Sequence, residues 1–180
     1  VYTMAGNEKL NVLIVSTEVA PYIKSGGLGD VAGSLPGELK KHGVDVRVCF
    51  PKYRDIDYKH INNLEHICSV KTSLGWRNPE AEIYGFEDEV KYYMVGNSHY
   101  FDRPGLYGYD DDYERFAFFT KISIEFLFTI DFKPDIIHFN DWQTGLGPVY
   151  LCDIYRQYNF YENTKSLYTI HNLQYQGIFS

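Results

Sequence analysis

Apolar residues recur along the chain in two alternating rhythms, and that alternation predicts the fold. Residues 10–16 (LNVLIVS) form a continuous β-branched and apolar run, the pattern of a strand buried on both faces. A polar, glycine-bearing stretch follows. Residues 28–42 then set Val31, Leu35 and Leu39 four apart along one helical face, with Gly43 as the stop signal. Pro36 lies inside this stretch and is expected to kink the helix or to mark its true start. A second strand, 44–50 (VDVRVCF), closes at Pro51. Strand, helix and strand in this order predict parallel pairing through a right-handed crossover.

Between residues 58 and 96 the rhythm weakens. Runs at 60–71, 81–86 and 90–95 each predict a strand, together a hairpin excursion at the sheet edge. The longest helix is predicted over 110–130, where Phe116, Phe119, Ile122, Phe126, Leu127 and Ile130 make a wide apolar face. A third buried strand (134–139, PDIIHF), a helix (144–158) and a fourth strand (166–170, SLYTI) complete the series. The expectation is an α/β, Rossmann-like, doubly wound and mainly parallel sheet. Residues 1–7 carry no periodicity and are read as a tag or disordered leader. Residues 8–180 are read as one domain truncated at its C-terminal end, because the chain stops just after a core strand.

Composition narrows the function more than the fold. A net charge of −7 disfavours a nucleic-acid or anionic-membrane surface, since both would repel the chain. No run approaches the roughly 18 apolar residues that a membrane helix needs. Cys49, Cys68 and Cys152 are scattered and outside any CxxC pattern, so they read as reduced thiols of a cytoplasmic protein. Aromatic residues make up 17% of the chain, enough to supply the flat faces of carbohydrate and nucleotide sites as well as a core.

In an open α/β sheet, ligands bind beyond the carboxyl ends of the strands. Three loops there are rich in polar residues and glycine. The first holds Lys24, Gly26, Gly27 and Asp30. Adjacent glycines admit a ligand to the backbone, the following helix offers free N–H groups to an anion, and Lys24 can neutralise a phosphate. A flexible turn with a solvated lysine reads the same residues equally well. With few large apolar side chains in it, the loop over 22–29 is expected to be mobile. GLGDVA at 27–32 formally fits the dinucleotide fingerprint. The long loop before it and the second strand's lack of a terminal acid disfavour a nicotinamide enzyme. The second loop holds Asp141, Trp142 and Gln143. Asp141 can cap the next helix and Trp142 can be core, yet an acid, an indole and an amide together suit a sugar. The third holds His171 and Asn172, with no second His at metal spacing. Lys24, Asp141 and His171 are expected along one sheet edge.

Together these residues resemble the bacterial glycogen synthase and starch synthase family, retaining glucosyltransferases of the two-domain GT-B type. The resemblance is carried by EVAPYIKSGGLGDV (18–31), YFDRPGLYG (100–108), ERFAFF (114–119), PDIIHFNDWQTGLGPVYL (134–151) and TIHNLQYQG (169–177). It implies transfer of glucose from an ADP-glucose donor to the non-reducing end of an α-1,4-glucan acceptor, with no cofactor and no metal. Lys24 would contact the nucleotide phosphates, and Gly26 and Gly27 would let backbone N–H groups approach them. Asp30 would order that loop or touch the glucose, and His171 would hydrogen-bond the transferred glucose beside Asn172. Asp141 and Trp142 match an acceptor-side pair, Tyr107 matches an active-site tyrosine, and Gln143 stands where relatives often carry His. Much of the diphosphate-binding equipment would sit on a missing C-terminal domain, leaving this piece inactive alone. UDP-glucose remains an alternative donor, and a non-catalytic carbohydrate- or nucleotide-binding domain an alternative role.

Overall fold

A computed structural model of the chain describes residues 9–179. The expected leader, 1–7, lies outside them. One seven-stranded sheet organises the described residues, in the spatial order β3-β4-β5-β2-β1-β6-β7. Strands β1 (Asn11–Val15), β2 (Asp45–Pro51), β5 (Lys91–Gly96), β6 (Ile136–Asn140) and β7 (Lys165–Thr169) pair in parallel. β3 (Glu65–Lys71) and β4 (Glu80–Glu87) join by antiparallel pairing. β1 sits inside the sheet between β2 and β6, where Leu13, Ile14 and Val15 are almost fully buried; the run of apolar residues is the cost of having both faces covered.

Two helices cover the sheet near the site. α1 (Gly27–Lys41) buries Leu28, Ala32 and Pro36, and packs Leu35 and Leu39 on the core. Val31 departs from the predicted apolar face: it is 41% exposed and lines the cavity described below. Pro36 neither starts nor ends the helix. After β5, α2 (Ser98–Phe101) is a single short turn. α3 (Asp112–Thr129) buries Phe116, Phe119, Ile122, Phe126 and Leu127, the face its spacing predicts, together with Phe118 and Ile124.

Three sequence expectations are corrected. Residues 58–60 form a 3₁₀ turn, with the Asp57 carboxylate accepting the Lys59 N–H, so β3 begins only at Glu65. The expected hairpin excursion forms at the sheet edge as the antiparallel series β3, β4 and β5, but β5 also pairs in parallel with β2, so Tyr92, Tyr93, Met94 and Val95 are buried inside the sheet. The helix expected over 144–158 is broken into a 3₁₀ turn (Trp142–Thr144), α4 (Gly147–Tyr150) and a π-helical turn (Leu151–Tyr155). Gly145, Gly147 and Pro148 interrupt its start, since glycine is a poor helix former and proline lacks the N–H. β7 forms as expected but is exposed from Lys165 to Tyr168, as an edge strand.

The core carries a direct test. Phe119 is fully buried at the α3–sheet contact, so Phe119→Ala is expected to destabilise the chain by about 3–5 kcal/mol. Phe128, 68% exposed one helical face away, should cost under about 1 kcal/mol on the same change. Urea denaturation of both variants checks the contrast.

Candidate functional site

All five parallel strands point the same way, so the loops after β1, β6 and β7 meet at one edge. They enclose a cavity of about 760 Å³, lined among others by Gly26, Gly27, Tyr107, Asp141, Trp142 and His171. Asn172 and Gln143 also line it. Residues more than a hundred positions apart are thus brought together by strand direction alone.

The loop after β1 is anchored, against expectation. Tyr22 is 1% exposed, packs on Phe50, Phe86 and Tyr92, and donates from its hydroxyl to Asp88. Val19 and Ile23 exchange backbone hydrogen bonds of 2.8 and 3.0 Å. The residue that fixes the glycine segment is Glu18, which sequence reasoning missed. Its carboxylate is only 4% exposed and accepts from the Ser25 hydroxyl (2.8 Å), the Ser25 and Gly26 backbone N–H groups, and the Tyr107 hydroxyl (2.7 Å). Nothing in the spacing of EVAPYIKSGG marks Glu18 as an inward-facing acid. Burial, then the neighbouring Tyr53 and Glu18, pushes the Tyr107 phenol far above its ordinary value. It therefore remains a donor to Glu18, while Thr17 donates to it across 2.9 Å.

This arrangement redistributes the expected roles of the first loop. The Gly26 N–H is already taken by Glu18. α1 has no side-chain cap at Gly26, so the N–H groups of its first turn, beginning at Gly27, are the donors left facing the cavity. A Cβ on Gly26 or Gly27 would meet nothing within 4 Å, and Gly26 is extended at φ −158°. Neither glycine is demanded by the chain's own packing. Lys24 and Asp30 do not line the cavity; they form an ion pair of 2.8 Å at its rim, both more than half exposed. Such a pair is worth under about 1 kcal/mol and releases its lysine readily.

Asp141 does not cap the turn that follows it. Its Oδ1 accepts instead from the backbone N–H groups of His171 (2.7 Å) and Asn172 (3.4 Å), tying the loop after β6 to the loop after β7. Asp141 holds φ 59°, ψ 176°, a conformation normally reserved for glycine that costs about 1–3 kcal/mol. His171 is oriented by Asn140, also missed from sequence. The Asn140 amide donates to Val15 O and His138 O, both at 3.1 Å, which turns its Oδ1 toward His171 Nε2 at 2.9 Å. His171 Nε2 is thereby the protonated nitrogen, and Nδ1 is the acceptor of the neutral ring. Trp142 stands between Phe116 (5.4 Å) and Phe179 (5.6 Å), and Gly177 at φ 63° leaves no room for a Cβ against the indole. Gln143 is 7% exposed, with an Oε1 that finds no partner among the described residues.

Loops of this make-up, at the carboxyl edge of a mostly parallel sheet, match part of the GT-B glycosyltransferase fold. The chain belongs to the starch synthase family: the model for the starch synthase catalytic domain matches residues 11–180. It is 49% identical over 172 residues to the glycogen synthase of Clostridium botulinum (strain Alaska E43 / Type E3) and 47% identical over 175 residues to that of Clostridioides difficile (strain 630). Each alignment covers 94% of this chain and 36% of the relative, so the chain spans about a third of the length of these relatives. The catalytic domain of starch synthase IV from Arabidopsis thaliana, bound to ADP and acarbose, superposes with a TM-score of 0.87 at 31% identity, over 94% of this chain and 35% of that one. Sucrose-phosphate synthase from Thermosynechococcus elongatus shares the fold, with a TM-score of 0.54 at 15% identity, over 92% of this chain and 34% of that one.

Two outcomes follow from this geometry. Glu18→Ala should speed amide exchange at Ser25 and Gly26 by about tenfold or more, because each charge-assisted hydrogen bond lost is worth about 1.5–3 kcal/mol; exchange of the β1 amides should hold at the parent rate. Beneath the cavity, burial and then the His171 ring keep His138 below the ordinary histidine value. The unfolded chain therefore takes up this proton first as pH falls. Stability should be full above about pH 6.5 and decline as pH drops toward the folded value, and His138→Gln should flatten that part of a pH series of thermal melts.

Proposed function

We propose that this chain is the amino-terminal half of the active site of an α-glucan synthase. The whole protein transfers glucose from ADP-glucose to the non-reducing end of an α-1,4-glucan with retention. The observation that carries this reading is the pair Gly26–Gly27: two glycines that the fold itself does not require, at the uncapped start of a 15-residue helix, opening on the cavity. Space without side chains beside free N–H groups is what a diphosphate needs. The superposable starch synthase IV, which binds ADP and acarbose, supports the same assignment.

The proposed roles follow from charge development. Cleavage of the glucose–phosphate bond puts negative charge on the departing diphosphate and positive charge on the sugar. The first turn of α1 faces the diphosphate, and Lys24 leaves Asp30 to join it. The Nδ1 of His171 accepts a hydrogen bond from a hydroxyl of the transferred glucose, next to Asn172, and so orients the sugar. Asp141, Trp142 and Tyr107 face the acceptor glucan. The remainder of the diphosphate clamp belongs to the carboxyl-terminal part of the protein, so this chain alone turns over no ADP-glucose.

Radiolabelled transfer assays test this reading on the full-length protein and on the 180-residue chain, with ADP-glucose and UDP-glucose compared. Turnover is expected from the full-length protein, faster with ADP-glucose, and none from the chain. Gly27→Ala in the full-length protein should leave the melting temperature unchanged or slightly raised, since alanine is the better helix former, yet raise KM for ADP-glucose on the order of tenfold. Parent kinetics in that variant would make the glycines a plain structural turn.

A further inference from the structure

Arg115, in the first turns of α3, is fully buried, yet among the described residues only its Nη1 has a partner, the Asp112 carboxylate at 3.0 Å. Its Nε and Nη2 are buried and find no acceptor among the described residues. The guanidinium lies among the rings of Tyr53, Phe101, Tyr109 and Phe116, at 5.0–5.7 Å from their centroids. A desolvated cation held so sparingly adds little to stability, and breaking such a pair by removing one partner is costly. Its structural consequence lies on the other side of Asp112. Asp112 Oδ2 accepts the backbone N–H of Gly108 at 2.8 Å, and Gly108 holds φ 99°, which favours glycine. The residue before it is Tyr107, whose hydroxyl meets Glu18 and Thr17 at the cavity wall. Phe116, next to Arg115 in the chain, packs on both Tyr107 (5.8 Å) and Trp142 (5.4 Å).

We propose that Arg115 and Asp112 form a positioning pair, in which the guanidinium orients the Asp112 carboxylate and that carboxylate sets the Gly108 turn and, through it, Tyr107 at the cavity. Beyond the Tyr107 hydroxyl's own bonds to Glu18 and Thr17, the loop's ties through Arg103–Asp111 and Asp55 to the Gly105 N–H are partly or largely exposed. Arg115–Asp112 is the ion pair here whose two side chains are both buried. The inference deepens the proposed function, on which its kinetic arm rests.

The test uses the full-length protein and reads two quantities. Arg115→Met removes the charge and the donors, while Arg115→Lys keeps the charge but not the planar fork. In Arg115→Met, the Gly108 amide is expected to exchange on the order of tenfold faster, with β1 and β6 amides at parent rates and Arg115→Lys intermediate. The same variant should lower kcat on the order of tenfold with a smaller change in KM. In a Tyr107→Phe background it should cost under about twofold, because the effect runs through the phenol. Parent exchange at Gly108 in both Arg115 variants overturns the proposal, as does an equal loss of kcat with and without the Tyr107 hydroxyl. Should Arg115→Met fail to fold, Arg115→Lys and Asp112→Asn decide by the same readings. A parent protein without glucosyl transfer sinks the proposed function instead, and the exchange arm still decides the positioning.

Discussion

The Glu18 carboxylate is bonded on one side to the backbone and hydroxyl of the glycine-bearing loop and on the other to the Tyr107 hydroxyl. A carboxylate with so little exposure is tolerable only when its oxygens are satisfied, since an unpaired buried charge costs several kcal/mol. That requirement fixes two loops almost ninety positions apart against each other. It also decides which backbone donors remain free. With Ser25 and Gly26 committed to Glu18, the uncapped first turn of α1 is what faces the cavity.

The opposite wall follows the same logic with different groups. Asp141 accepts strain at φ 59° and spends its Oδ1 on the backbone of His171 and Asn172. Asn140 has both amide protons on carbonyls, and this leaves one orientation for the His171 ring. Each wall is therefore built around a buried polar side chain that is hydrogen-bonded to the backbone. The first turn of α1 and His171 are left lining the cavity.

Much of this was legible in the sequence. The β-branched runs at 10–16 and 134–139 specified parallel strands, and strand direction alone set the loops of Lys24, Asp141 and His171 along one edge, although Lys24 itself pairs with Asp30 and does not line the cavity. The resemblance of EVAPYIKSGGLGDV and TIHNLQYQG to the starch synthase family agrees with the matched family. What was illegible was pairing. Spacing does not say that β5 lies inside the sheet beside β2, because Tyr92 to Val95 reads the same as an edge strand until its neighbours are known. Nor does it say that Lys24 turns to Asp30, or that Glu18 turns inward. A lone Glu beside a glycine loop usually faces solvent, and only the three-dimensional convergence of Ser25, Gly26 and Tyr107 draws it in.

Amide hydrogen exchange of the full-length protein with and without ADP tests the central claim most directly. If the uncapped start of α1 is the diphosphate site, ADP slows exchange at Gly27 and Leu28 and leaves Ser25 and Gly26, already bonded to Glu18, near their ligand-free rates. ADP that binds without slowing Gly27 and Leu28 would contradict the account and leave the glycine loop a structural turn.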